Sequence, residues 1–226
     1  MQRVFVGYPF KGRFPSDDFQ VIFRELPLVP DFGDEVPETS ALEPLLSYLR
    51  SHISKADYTL FDVTYFNPNV LFELGLSAGL TRREIAPRIL LNTKRSKAKD
   101  LPSDLHGVVR IEYESYDYES KGLGDRLMQH VFSKERWFRR LWPSVPRSGK
   151  ERKKVLLALR ILGHVKESRA SISPEKIAQL AEELDLGGRQ PAWHDVPKRL
   201  TEFRLLRKVK RGKGHIYRLG TRRFER

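Results

Sequence analysis

The chain contains no cysteine, which excludes disulfides and thiolate metal centres. Its six histidines are scattered, with no pair at ligand spacing, so no structural zinc is expected. No apolar run approaches the roughly 20 residues that a membrane-spanning helix requires. The opening Met1-Gln2-Arg3-Val4-Phe5-Val6 reads as the approach to a strand and carries no signal-peptide pattern. Together these absences predict a soluble, cytoplasmic protein without membrane contact. Disorder is not expected either, because 39% of the residues are hydrophobic and 11% aromatic, enough for a packed core.

What is present is positive charge, unevenly placed. The formal net charge is +13 over 226 residues, and residues 151–226 carry 20 Lys/Arg against 9 Asp/Glu, leaving only about +2 for residues 1–150. Between the two parts, Trp142-Pro143-Ser144-Val145-Pro146-Arg147-Ser148-Gly149 interrupts any regular element. Two domains are therefore expected, over 1–146 and 150–226.

The first part alternates strand-like and helical segments. Val4-Phe5-Val6 runs into the turn Gly7-Tyr8-Pro9-Phe10-Lys11-Gly12. Residues 41–54 carry Leu42, Leu45, Leu46, Leu49 and Ile53 at helical spacing. Buried-strand patterns follow at Tyr58–Val63, Arg88–Leu91 and Val108–Tyr113, with a helix over 68–80. This alternation predicts an α/β fold with a mostly parallel, Rossmann-like (flavodoxin-like) sheet flanked by helices, whose ligand site lies at the carboxyl ends of the strands.

Directly after the strand ending at Val63 comes Thr64-Tyr65-Phe66-Asn67-Pro68-Asn69-Val70-Leu71-Phe72-Glu73-Leu74-Gly75-Leu76-Ser77-Ala78-Gly79-Leu80. Asn67 suits an N-cap and Pro68 a first helical position. Steps of four place Asn69, Glu73 and Ser77 on one face of a helix that is otherwise apolar or small, and a helix apolar nearly all round is expected to be buried. Glu73 is then a carboxylate in apolar surroundings, costly unless paired or functionally required.

The run from Ala56-Asp57 through Asp62, Asn67-Pro68-Asn69-Val70 and Glu73-Leu74-Gly75 to Ala78 resembles the signature of the nucleoside 2-deoxyribosyltransferase-like proteins and their TIR-like relatives. The likeness extends to Asp100-Leu101-Pro102-Ser103-Asp104-Leu105-His106-Gly107 and spans roughly residues 3–132. It implies cleavage of an N-glycosidic bond, with Glu73 as the nucleophile that attacks the anomeric carbon. Asp62 and Asn69 join it as candidate catalytic residues, although Asp57 and Asp62 read equally well as structural residues at strand ends. The same likeness makes Gly7, Tyr8, Pro9 and Phe10 line a nucleotide pocket, with Tyr8 or Phe10 stacking on a base, and adds Asn67 and Ser77 to the substrate-binding set. Some of these transferases carry an acid six positions before the glutamate, where this chain has Asn67. With one clear carboxylate, the site leans towards NAD, whose nicotinamide already bears its positive charge on the glycosidic nitrogen and needs less acid help to leave. No cofactor is expected; NAD or a nucleotide is the substrate.

The second part begins with a helical pattern at Lys153–Gly163. Ser173-Pro174-Glu175 caps a helix through Leu184, and a third helix at about 192–203 has Val196, Leu200 and Phe203 on one side. Two strands follow at Leu206–Lys210 and His215–Leu219, joined by Arg211-Gly212-Lys213-Gly214. Three helices and a glycine-turned hairpin predict a winged helix. In such a module the third helix enters the major groove and the wing meets the flanking backbone. Lys198, Arg199, Arg204, Lys208, Lys210, Arg211 and Lys213 suit the phosphates of DNA or another nucleic acid.

The combination resembles in organisation the ribosyltransferase/DNA-binding effectors that accompany some retrons. That likeness implies an antiphage effector hydrolysing NAD or a (deoxy)nucleotide, a homo-oligomer with a defence-system protein as partner. The alternative is a nucleotide-sensing winged-helix transcription regulator without turnover.

Overall fold

The computed structural model describes residues 2–9, 15–33, 42–80, 86–143, 149–167, 171–186, 193–211 and 214–220. The chain divides into two compact units, one of Met1–Phe23 and Leu28–Tyr116, the other of Arg24–Pro27 and Asp117–Arg226. No helix among the described residues is long and apolar enough to cross a membrane.

The first unit is an α/β layer structure. Five strands, β1 (Gln2–Gly7), β2 (Leu28–Asp31), β3 (Tyr58–Asp62), β4 (Arg88–Asn92) and β5 (Val109–Tyr113), pair in the order β2-β1-β3-β4-β5, and every pairing is parallel. Helices α1 (Ser16–Glu25), α2 (Leu42–Lys55) and α3 (Pro68–Leu80) flank the sheet. This is the flavodoxin-like strand order. From β1 the chain turns to one side to build β2, then returns to the other side for β3. The connections above β1 and β3 therefore diverge, and their carboxyl ends border a crevice.

Alternation along the strands explains the two apolar layers. Phe5, Phe61, Ile89 and Leu91 cluster with Leu49 and Ile53 of α2 and with Val70 and Leu74 of α3. Their neighbours Val4, Val6, Leu60 and Leu90 are fully buried on the opposite face. Each such side chain is worth roughly 1.5–3 kcal/mol on burial.

Two elements of this unit escaped the sequence reading. Strand β2 is four residues long and contains Pro30, which ordinarily argues against a strand; it is tolerated because β2 is at the sheet edge. Helix α1 carries the buried trio Phe19, Ile22 and Phe23 at helical spacing, with Asp17 and Asp18 in its first turn.

The second unit contains α4 (Leu123–His130), α5 (Arg136–Leu141), α6 (Gly149–Glu167), β6 (Ser171–Ile172), α7 (Pro174–Glu183), α8 (Asp195–Glu202), β7 (Leu206–Arg211) and β8 (Gly214–Leu219). Its three strands pair antiparallel in the order β6-β8-β7. Helix α6 is buried from Val155 through Leu162. Ser173 caps α7 by accepting a hydrogen bond from the Lys176 backbone, with Pro174 at the first helical position. Helices α4 and α5 belong to this unit, although their residues fall within the 1–146 segment read as the first domain.

Arg160 is buried near the centre of α6. Its guanidinium donates to Glu25 at 2.9 Å and Glu183 at 2.6 Å and lies over the Tyr118 ring, while Tyr118 also donates to Glu25 at 2.9 Å. A buried cation is tolerable only when paired in this way.

Candidate active site at the carboxyl ends of β1 and β3

Strand β1 ends at Gly7, paired with Phe61 of β3. A β-carbon at Gly7 would stand 2.5 Å from the Phe61 ring and 2.6 Å from Oε2 of Glu73. Only glycine leaves room for that carboxylate against the end of β1. Glu73 therefore lies at the reversal of strand order, where open parallel sheets bind their ligands.

The local sequence explains the placement. After β3 the chain turns with the Phe66 amide donating to the Val63 carbonyl at 3.0 Å, and Phe66 has a φ of 49°. That conformation is unfavourable for a bulky side chain and recurs where function fixes the backbone. Asn67 then accepts hydrogen bonds from the backbone of Asn69 at 2.9 Å and Val70 at 3.4 Å, and Pro68 opens α3.

Among the described residues Glu73 has no hydrogen-bond or ion-pair partner. Burial alone pushes its carboxyl up to about 7. The three residues spaced by four do not share one environment: Asn69 is exposed, Glu73 half-buried, and Ser77 fully buried with its hydroxyl donating to Thr59 at 3.0 Å. Steps of four advance 40° beyond a full turn, so the row winds from solvent into the core. The expectation of an enclosed α3 is corrected as well. Phe72 and Leu80 are 47% and 39% exposed, and Gly75, Ala78 and Gly79 are exposed. Small residues on that side leave little apolar area to drive burial.

Asp62, at the end of β3, has no access to solvent. It accepts from the Tyr113 hydroxyl at 2.6 Å and the Thr64 amide at 3.0 Å. Burial pushes it up to about 6 despite these bonds, which pull the other way. Fully enclosed, it holds Tyr113 and the β3 turn in place. The chain continues through Tyr113 to Tyr116, and alongside it Arg95 donates to the Tyr65 hydroxyl at 2.7 Å. No sequence signal marked Tyr113, although a buried Asp at a strand end demands a donor from somewhere.

The turn after β1 differs from expectation, most plainly at Tyr8. Tyr8 is 2% exposed, its ring packed against Phe19 and Phe32 and its hydroxyl bonded to Gln20. It is a core side chain and has no free face for a base. Pro9 is buried too, and Phe10 lies outside the described residues.

Comparison of the chain with family models, curated proteins and solved structures returns no match. A cavity of about 300 Å³ lies elsewhere in the first unit, lined by residues that include Arg3, Asp31, Tyr48 and His52. Its one carboxylate among the described residues, Asp31, is engaged by the His52 imidazole at 2.5 Å, and the cavity sits away from the strand-order reversal. Among the described residues no cluster of His, Asp and Glu could hold a metal ion.

In the second unit the proposed phosphate contacts divide. Lys208, Lys210 and Arg211 are exposed on β7, and Arg204 is exposed just before it; Lys213 lies outside the described residues. On α8, Lys198 is exposed but 3.9 Å from Glu202. Arg199 is turned inward, donating to the Leu141 carbonyl and lying over the Trp142 ring.

Proposed function

We propose that this chain hydrolyses the N-glycosidic bond of NAD or a (deoxy)nucleotide, with Glu73 as nucleophile, and acts as an antiphage effector whose second unit is a winged helix that holds nucleic acid. The observation that carries the catalytic reading is a desolvated carboxylate against Gly7 at the strand-order reversal, with no cation of the described residues to neutralise it. Such a group gains most from a ligand that brings its own positive charge, and nicotinamide bound to ribose is a cation at the nitrogen that leaves.

In the first step a Glu73 oxygen forms a bond to the anomeric carbon while the carbon–nitrogen bond breaks; its electron pair neutralises a departing nicotinamide, whereas the base of a deoxynucleotide leaves neutral by also taking up a proton from solvent. Water then attacks the same carbon, the ester bond to Glu73 breaks, and the proton of the water passes to solvent. Only ionised Glu73 can attack, so turnover rises as pH passes through about 7. A cationic substrate stabilises the carboxylate and moves that midpoint down in the complex.

The test is release of free base from NAD and from deoxynucleotides, followed chromatographically with and without single-stranded or duplex DNA. Base is expected from the native protein and none from Glu73→Gln. Release that survives the substitution removes Glu73 from the mechanism, and no release from any substrate under any condition overturns the hydrolase reading.

A further inference from the structure

We infer that the second unit grips nucleic acid by its phosphates through the β7–β8 ribbon, and that α8 does not enter a groove. The inference rests on the reading that this unit binds nucleic acid.

Helix α8 is poorly equipped to read bases. Val196, Pro197 and Leu200 are buried. Asp195 is engaged by Lys154 at 3.1 Å, Thr201 donates to the Pro197 carbonyl at 2.8 Å, and Arg199 is committed to Leu141 and Trp142. Its solvent side sets two carboxylates, Asp195 and Glu202, against one lysine, Lys198, which already faces Glu202 at 3.9 Å, so it offers a phosphate backbone no net attraction.

The ribbon is the opposite case. Between Arg204 and Arg218 the sequence has seven Lys/Arg and no Asp or Glu. Arg207, Lys208, Lys210, Arg211 and Arg218 are all exposed, and among the described residues none has a hydrogen-bonding or ionic side-chain partner. The register sets Arg207 directly opposite Arg218, an arrangement that destabilises a sheet unless an anion lies between the two. Lysines on an edge strand can serve merely to block aggregation. That accounts for β7, which is at the edge, but not for Arg218 on the central strand facing another arginine. On the other face Lys208 stands opposite Tyr217 and Lys210 opposite His215, and the two rings meet edge to face at 5.3 Å. Cations alternating with rings suit a sugar–phosphate backbone and its bases. A lipid surface fits less well, because among the described residues of the ribbon no large apolar side chain is exposed to anchor in a bilayer.

The test uses the full chain and fluorescein-labelled duplexes of two unrelated sequences, with affinity measured by anisotropy across a salt series. Both sequences are expected to bind alike, since phosphate contacts carry no base information. Replacing Arg207, Lys208, Lys210 and Arg211 together by Ala is expected to weaken binding by about 100-fold or more and to flatten the salt slope by about 3.6, at roughly 0.9 per lost phosphate contact. Arg207→Lys with Arg211→Lys keeps the charges and is expected to stay within about threefold, which separates lost contacts from lost folding. Glu202→Gln is expected to change nothing. A fourfold variant that binds like the native protein overturns the inference, as does a tenfold gain from Glu202→Gln or tighter binding to anionic vesicles than to DNA. No binding of the native protein to duplex or single strand even at low salt would instead overturn the underlying nucleic-acid reading.

Discussion

Replacing Glu73 by Gln should abolish turnover and at the same time make the protein more stable above neutral pH. The carboxyl titrates near 4.5 in the unfolded chain and is pushed up to about 7 by burial in the fold. The folded state therefore holds the proton more tightly than the unfolded chain. As pH rises from 4.5 to 7, ionisation penalises the folded state increasingly; below that window there is no penalty, and above it the penalty is complete. A shift from 4.5 to about 7 corresponds to about 3 kcal/mol, and because Glu73 is only half-buried, about 1–3 kcal/mol is a fair range once water screening is allowed for. Glutamine has the same shape and cannot ionise. Thermal unfolding at pH 8 should accordingly place Glu73→Gln roughly 3–10 °C above the native protein, and at pH 4.5 the two should coincide. Asp62, raised to about 6 by its own burial, adds a similar pH slope to both proteins and cancels from the difference. Equal melting temperatures at pH 8 would refute the idea that the Glu73 carboxylate is desolvated.

Gly7→Ala puts a β-carbon within 2.6 Å of Glu73 Oε2 and 2.5 Å of the Phe61 ring, so the carboxylate must move; base release should fall by at least tenfold, measured beside a melt that shows the fold retained. Arg160→Met leaves Glu25 and Glu183 without their cation in the second unit; because both carboxylates are partly open to water, it should cost about 1–2 kcal/mol in chemical denaturation, and an unchanged stability would refute a structural role for the cluster.

The parts of this fold that were legible in the sequence are those written in nearest neighbours. Tyr58–Val63, Arg88–Leu91 and Val108–Tyr113 are compact apolar runs between breakers, and all three lie in the parallel sheet. Asn67-Pro68 announces the start of α3 because capping is a matter of two or three residues. Strand β2 was hidden by Pro30, whose tolerance depends on being at an edge, a property of the assembled sheet. The helical spacing of Phe19, Ile22 and Phe23 is itself a local signal for α1. At the site, Glu73 stood out as a lone acid on an apolar helix. Its apposition to Gly7 did not, because the two residues meet only after the parallel pairing of β1 with β3. Likewise the donor for Asp62 comes from Tyr113, 51 positions away, and Arg199 is drawn inward by a carbonyl 58 positions away. Burial of long side chains by distant backbone leaves no local trace.

The carboxylate that Glu25 offers to Arg160 has a consequence for how such a chain can be rearranged. The second unit is not a continuous cassette, since Arg24–Pro27 belongs to it and supplies both that carboxylate and the backbone carbonyl against which Gly163 lies, where a β-carbon would come within 2.2 Å. Recombination that transplanted only the basic carboxyl-terminal stretch onto another protein would leave behind a structural piece encoded more than ninety residues upstream. A transplant of the second unit would have to carry Arg24–Pro27 with it.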